Sequence, residues 1–389
     1  MSVNTHRPNY TFLPPWIMKN RLTHDNSHED TRLCYQHIQL LLDKHAGSDD
    51  IALSEPIYSA EKKSADNPAL SEPGYSAEKK SADNPPAAHR RVIHLKNMTV
   101  VPDLYYREDK KAKNDQYATT IKSDTDTDNM FEYLEIIYTF FADVFDYESF
   151  DNHNATISAM THYGRGYCNA FWNGTHLVFG AGDLKTNSAP LFLSFAQPDI
   201  ATHEYSHAVI DHLSPLTYSG QSGALNESVC DVLTVMLVHY QQQHNSHEGD
   251  WSIGRTLFTK SSGIKALRSL SAPGSAYNHP VIGKDEQISH MRDYIELPDN
   301  AENDNGGVHR YSGIPNHAFY HFATGLGGYS WEVAGQVWFD TLRHANLPPE
   351  CDFLLFARET VLIAQNNYGD DVAGILLNAW DTVGLNPQI

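Results

Sequence analysis

His203, Glu204 and His207 form the pattern His-Glu-x-x-His inside Pro198-Asp199-Ile200-Ala201-Thr202-His203-Glu204-Tyr205-Ser206-His207-Ala208-Val209-Ile210. On a helix, residues four apart lie one above the other on one face. His203 and His207 can then aim one ring nitrogen each at a single metal ion. Glu204 is turned by about 100° from His203, so its carboxylate borders the metal without having to bind it. In that position it can take a proton from a water polarised by the ion. Pro198 and Asp199 suit a first helical turn, where proline's missing N–H costs nothing and a negative charge meets the helix dipole. Pro215 limits the far end.

Twenty residues further on, Gly223-Ala224-Leu225-Asn226-Glu227-Ser228-Val229-Cys230-Asp231 opens a second helical run that continues to about Tyr240. Hydrolytic zinc takes three protein ligands and keeps one open position. Glu227 can supply the third. Asp231, four residues on, shares its face and can accept the free ring N–H of a ligand histidine, which fixes that ring's tautomer. A solvated helix face is the plain alternative for these acids. It fits poorly, because Leu225, Val229, Val232, Leu233, Val235 and Met236 make the run largely apolar. Acidic groups in such company need partners.

From Arg90 onward the sequence resembles the thermolysin family of zinc endopeptidases. The resemblance rests on Asn169-Ala170-Phe171-Trp172-Asn173-Gly174, the His-Glu-x-x-His stretch, Tyr218, Ser222 to Glu227, Leu267-Arg268-Ser269 and Asp304-Asn305-Gly306-Gly307-Val308-His309. It implies an α+β, two-lobed fold, with a β-rich N-terminal lobe, a mainly α-helical C-terminal lobe and the zinc helix between them. It implies one zinc ion on His203, His207 and Glu227, with Asp231 behind a ligand histidine. Glu204 would act as general base, and Tyr218 and His309 would hydrogen-bond the tetrahedral intermediate, His309 being oriented by Asp304. Arg268 would hold a substrate carbonyl, and Asn169 and Ala170 the substrate backbone. Ile200, Ile253, Leu257 and Leu267, with Leu191 beside them, would form an apolar pocket for the residue after the scissile bond. Cys230 stands where the family commonly has serine, a change of neighbour that removes no ligand.

The family's calcium positions read differently. Asp199 and Asp250 keep two acids, but Val238, Arg255 and Lys265 replace other oxygen donors. Calcium takes six to eight hard oxygen ligands, so no calcium is expected here. Arg255 is expected to bridge Asp199 and Asp250 instead. A further histidine pair, His317 and His321, has metal spacing but no glutamate after the first histidine. It is expected to be packed or solvent-facing.

Phe12-Leu13-Pro14-Pro15-Trp16-Ile17-Met18 is followed by a helical pattern through Leu33, Ile38, Leu41 and Leu42. This resembles the short propeptide of the protealysin-like branch of the family, and the stiff Pro14-Pro15-Trp16 stretch is expected to lie in the substrate groove. Ala52–Pro68 recurs as Ala69–Pro85 with Gly74 for Ile57 as the one change in 17 residues. Its Ser, Ala, Pro, Glu and Lys cannot bury enough apolar surface to order the chain. The expected organisation is therefore a propeptide over 1–50, a linker over 51–88, a catalytic lobe over 89–213 that includes the zinc helix, and a helical lobe over 214–389.

Within the catalytic unit, Arg91–Leu95, Ile157–His162 and His176–Phe179 alternate like strands, and Met130–Phe145 has helical periodicity. Helices are expected at 224–241, 314–324, 330–343, 351–365 and 370–380. An exposed strand edge near Asn169–Asn173 could bind a peptide as an added strand.

Of 389 residues, 28 are basic and 48 acidic, for a formal charge of −20. That balance argues against nucleic acid or an anionic membrane as partner. Cys34, Cys168, Cys230 and Cys351 show no disulfide or paired metal spacing. No run approaches a membrane span, and the first residues hold no signal-peptide core. The expectation is cytoplasmic synthesis with any export by a non-classical route, and a monomer acting on peptides or proteins with its own propeptide as intramolecular inhibitor. Two rivals differ in class. A zinc aminopeptidase would need a group to capture the free amine, commonly a Glu in a Gly-Ala-Met-Glu-Asn segment, and that segment is missing from this sequence. A non-catalytic binding or inhibitory protein on the same scaffold would not need the complete set of ligands and base.

Overall fold

Short alternating runs and one long amphipathic helix build the first lobe. Arg90–His94 (β1), Tyr106–Glu108 (β2), Ile157–Tyr163 (β3), Ala170–Trp172 (β4) and Leu177–Gly180 (β5) form a sheet in the order β2-β1-β3-β5-β4. β1–β3 and β3–β5 are parallel, while β1–β2 and β4–β5 are antiparallel. These details come from a computed structural model that describes residues 10–24, 32, 36, 88–97, 106–108, 124–183 and 190–389. The Leu33–Leu42 pattern, Cys34 and the duplicated repeat lie outside the described residues.

The helix packed on this sheet spans Thr125–Phe145, five residues longer at its start than its apolar periodicity predicts. Asp124 accepts a hydrogen bond from the Thr127 N–H, and Asp126 and Asp128 occupy the first turn. Capping and dipole extend a helix into polar sequence that carries no hydrophobic period. Met130, Phe131, Leu134, Ile137, Tyr138 and Phe141 form its buried face.

Helices Gly220–Gln242, Gly313–Leu326, Val333–His344, Phe353–Tyr368 and Asp370–Thr382 make the second lobe. Their positions follow the sequence reading, with ends shifted where caps take over, as at Asp352, which accepts from the Leu355 N–H. Trp338 stacks on Trp380 at 5.6 Å and seals the centre of this lobe. Among the described residues no helix is long and apolar enough to cross a membrane.

Between the lobes runs Pro198–Leu213, with every residue from Asp199 to Ile210 buried. Its neighbour Gly220–Gln242 is buried from Ser222 to Leu237. Both helices bury histidine and carboxylate side chains as completely as their aliphatic ones. Buried ionisable groups need partners, and the partners lie between these two helices.

Candidate active site

His203 Nε2 lies 3.2 Å from one Glu227 oxygen, and His207 Nε2 lies 3.5 Å from the other. Ligands at ordinary Zn–N and Zn–O lengths around a tetrahedral ion are about 3.3 Å apart. His203 Nε2, His207 Nε2 and Glu227 Oε2 are all buried without a hydrogen-bond partner. Two orphaned imidazole nitrogens facing a carboxylate with an unpartnered oxygen make a donor set that fits a zinc ion.

The far side of each ring is held. His203 Nδ1 is 3.0 Å from Asp231 Oδ1. Asp231 is itself gripped by Arg268 Nε and Nη2 at 2.9 and 2.7 Å and by the Asn316 amide at 3.0 Å. His207 Nδ1 lies 2.8 Å from Asn226 Oδ1. These acceptors keep the proton on Nδ1 and leave the Nε2 lone pair for a metal.

Cys230 also falls within a cluster with His203 and His207 whose ligand atoms lie within 4.8 Å of one another. Its sulfur, however, meets His207 at Nδ1, 3.2 Å away, the opposite ring edge from the one facing Glu227. Burial pushes the thiol pKa up, with Glu227 and Glu204 adding to the effect. A thiol behind the ring is a neighbour of His207, whereas Glu227 faces the Nε2 edges of both histidines.

Glu204 is fully buried and neither carboxylate oxygen completes a hydrogen bond. Burial raises its pKa to about 8, with His203 opposing and Glu227 assisting. The opposite holds at Glu227: burial alone would raise its pKa, but His309 and His203 hold it well below the usual carboxylate range. Two carboxyls in one dry site thus have different proton affinities, which is how acid–base roles are separated.

His309 approaches from the second lobe. Asn305, Gly306 and Gly307 have φ of 49°, 81° and 84°. At Gly307 a Cβ would come within 2.5 Å of the Tyr311 ring. This left-handed turn folds Asp304 back, so that its carboxylate receives the His309 N–H at 2.8 Å and faces Nδ1 at 2.7 Å. Burial disfavours the imidazolium, yet Glu227 and Asp304 raise the His309 pKa above its ordinary value. The Tyr218 hydroxyl donates to Glu227 Oε1.

The cleft holds part of the chain itself. The Phe12 N–H donates to Ala170 O on edge strand β4 at 3.0 Å, and the Leu13 N–H to Asn169 Oδ1 at 2.8 Å. Arg268 Nη1 donates to Phe12 O at 3.0 Å, and His309 Nε2 lies 2.6 Å from Thr11 O. The Tyr10 ring stacks on His207 at 4.3 Å while its hydroxyl donates to Asp211. Phe12 is fully buried, edge-on to His203 and beneath the Arg268 guanidinium.

The segment expected in the groove was Pro14-Pro15-Trp16; Trp16 does meet His309 edge-on at 6.5 Å, but the backbone contacts in the cleft come from Thr11–Leu13. Proline has no N–H to give a strand edge, so pairing stops at Leu13. Pro15–His24 continues as a helix, anchored by Trp16 to Tyr277, Asn20 to Ile282 O, and Arg21 to Asp183 at 2.5 Å.

Ile200, Ile253, Leu257, Leu267 and Leu191 are all buried. Backbone bonds join their segments: Leu267 N–H to Ile253 O, Leu193 N–H to Leu257 O, and Thr259 N–H to Leu191 O. The Arg255 side chain pairs with Asp250 but not with Asp199. Asp199 is buried and accepts the Gly254 and Ile200 N–H groups, whereas the Arg255 side chain is 59% exposed. Backbone donors reach the buried carboxylate where a solvated guanidinium does not, so the expected bridge is half formed.

Sequence reading missed Tyr10, Thr11, Asp211, Asn226 and Asn316. Asp211 had a signal, being four residues beyond His207 on the same face. Asn226 had a weaker one as the neighbour of Glu227. Thr11 had none.

Residues 74–211 match the family model described as thermolysin metallopeptidase, catalytic domain, and 214–385 the one described as its alpha-helical domain. An extracellular metalloprotease of Pectobacterium carotovorum is 42% identical over 263 residues, covering 67% of this chain and 73% of that protein. Protease PrtS of a Photorhabdus strain is 39% identical over 300 residues, covering 76% of each. The solved precursor of protealysin, a metalloproteinase from Serratia proteamaculans, superposes with a TM-score of 0.75 at 34% identity, covering 97% of this chain and 99% of that one.

Proposed function

This chain belongs to the thermolysin metallopeptidases and is a zinc metalloendopeptidase; from its cleft we propose that it cuts peptides before bulky apolar residues and is made as a latent proenzyme. One observation carries the proposal. Thr11, Phe12 and Leu13 offer their backbone groups to His309, Ala170, Arg268 and Asn169 as an extended substrate would. The carbonyl beside the metal ligands is that of Thr11, since His309 Nε2 is also 3.5 Å from Glu227 Oε2. The residue following it is Phe12, which fits a preference for a large apolar side chain after the scissile bond.

The residues take these roles in the proposed reaction. His203, His207 and Glu227 would hold zinc, which supplies Lewis-acid polarisation of water and carbonyl. Glu204 takes the proton from the attacking water and delivers it to the leaving nitrogen. His309, held by Asp304, donates to the carbonyl oxygen as negative charge develops there. Tyr218 assists from the same side. Asn169, Ala170 and Arg268 fix the backbone, and the Ile200–Leu257–Leu267 wall accepts the side chain. Asp231 keeps His203 in the metal-binding tautomer.

In the intact chain the same contacts are filled by residues 10–13, so residues 1–50 act as propeptide and intramolecular inhibitor, released by cutting within the 51–88 linker. Calcium has no role at the Asp199–Asp250 positions in this reading, because Arg255 already neutralises Asp250.

The test uses an N-blocked peptide with Phe or Leu after the scissile bond. Zinc-loaded enzyme trimmed of its N-terminal segment cleaves it, and the intact chain does so at least about tenfold more slowly, the loss expected when a competent state is mostly occupied. Equal rates would remove the latency. A trimmed, zinc-loaded enzyme that cuts only free-amine peptides would make it an aminopeptidase, and one that cuts nothing would make it a binding protein.

A further inference from the structure

Away from the cleft, a second group of metal-ligating side chains gathers where β1, β3 and the Thr125–Phe145 helix meet. His94, Asp124 and His162 bring one ligand atom each to within 4.8 Å of the others. The two imidazoles stack at 4.3 Å with their planes 21° apart. Both turn Nε2 toward Asp124: His162 at 3.0 Å from Oδ2, His94 at 3.9 Å from Oδ1. Asp126 adds a carboxylate oxygen 3.6 Å from His162 Nε2. Their side chains are 18–26% exposed, screened by the fold but open to a small ion.

The backbone is bent to make this group. Successive strand residues normally point to opposite faces. Thr161 and His162 are consecutive, yet Thr161 Oγ1 meets Thr127 Oγ1 at 2.8 Å while the His162 ring reaches Asp124, so both face the same helix. The cause is a φ of 54° at His162, together with a register shift of β3 against β5 between Met160 and Tyr163. A left-handed conformation at a non-glycine residue costs energy and persists only where the surroundings impose it. Here its effect is to lay one imidazole on another, in front of a carboxylate.

We propose that His94, Asp124 and His162, with Asp126 as a further oxygen donor, form a second divalent transition-metal site suited to zinc. Two imidazole nitrogens with one or two carboxylate oxygens are a zinc donor set. Calcium and magnesium, which take oxygen donors almost exclusively, are poorly served. The formal charge of −20 favours cation capture at a partly exposed site.

Binding rearranges protons without needing another reactant. Without the ion, His162 donates Nε2–H to Asp124, and His94 Nδ1 accepts the Lys96 N–H at 2.9 Å. With the ion, each ring carries its proton on Nδ1 and gives the Nε2 lone pair to the metal. His94 therefore surrenders the Lys96 contact, which solvent can replace because Lys96 is exposed. His162 gives up only its bond to Asp124, so it is the stronger ligand of the two. The bound ion would tie the end of β1 to the β3 bulge and to the start of the helix.

Metal analysis of the full chain at equilibrium with micromolar zinc tests this. The unaltered protein should hold two equivalents, and His162→Gln one, with unchanged peptidase activity after trimming. Asp124→Asn keeps the helix cap and should also hold one, while His94→Gln should weaken the second equivalent by about tenfold or more. In Glu227→Ala, where the cleft loses its ion, one equivalent should remain and should vanish on adding His162→Gln. That arm is independent of catalysis, so it separates this site from the cleft. Zinc should also raise the melting temperature of Glu227→Ala but not of the double variant. A single equivalent in the unaltered protein, or a second one that survives both His162→Gln and Asp124→Asn, would overturn the assignment.

Discussion

Among the described residues two helices carry histidines four residues apart, and of these the pair on Pro198–Leu213 faces a carboxylate. His203 and His207 on Pro198–Leu213 are fully buried, and each leaves Nε2 without a partner toward Glu227. His317 and His321 on Gly313–Leu326 are half-buried and satisfy each other, with their Nε2 atoms 3.0 Å apart and His317 Nδ1 3.1 Å from Leu270 O. Burial lowers both of their pKa values. Among the described residues this second pair belongs to no group of three candidate ligands. Helical spacing brings two imidazoles together in both places. What sets the cleft pair apart is a facing carboxylate and ring nitrogens that no other protein group uses.

The hardest blow to that distinction would come from Glu227→Ala. It should empty the cleft of zinc and abolish peptidase activity, whereas retention of the ion there would mean that His203 and His207 need no third donor. Glu204→Gln is next in size. Metal analysis should find the cleft still loaded, while kcat falls by about a hundredfold to ten-thousandfold, the range for loss of a general acid–base. An ion lost with Glu204 would make it a ligand.

A smaller effect concerns pH in protein stripped of zinc. Glu204 binds its proton more tightly folded, at about 8, than at its ordinary 4.5. Its contribution is therefore complete below about 4.5 and is lost as pH rises through 8. His203, raised to about 9 by Asp231 and Glu227 despite burial, moves in the same sense over the higher window. Melting curves between pH 5 and pH 8 should show metal-free wild type losing stability relative to metal-free Glu204→Gln. Parallel curves would place the buried proton on another group. Smallest of all, His317→Gln with His321→Gln should leave the cleft's zinc and the activity unchanged. Loss of either would mean that the second pair contributes to the site after all.

Much of this was legible in the sequence because it depends on short-range periodicity. The four-residue step fixes His203 over His207 and Glu227 over Asp231, whatever surrounds them. Apolar periods placed the long helices, and errors fell at their ends: Asp124 caps a polar first turn that has no period, and Asp352 caps a helix that starts later than its expected bound. The left-handed turn at Asn305–Gly307 was marked by its glycines, though its purpose, folding Asp304 onto His309, was clear only from the family resemblance.

The rest was decided by contacts between distant parts of the chain. Sequence singled out the prolines near the N-terminus, but the cleft takes Tyr10–Leu13, because a strand edge selects residues that still have an N–H to give. Asp231 could have served either histidine; Arg268 and Asn316 turn it toward His203, leaving His207 to Asn226. Arg255 could reach two acids, and burial of Asp199 behind backbone N–H groups left it one. His94 and His162 lie 68 positions apart, and a single left-handed φ in β3 brings their rings together. Helix geometry is a property of neighbouring residues and can be read from them. Which lone pairs are left unused depends on what every other buried group has already bonded, and that is fixed only when the whole chain has packed.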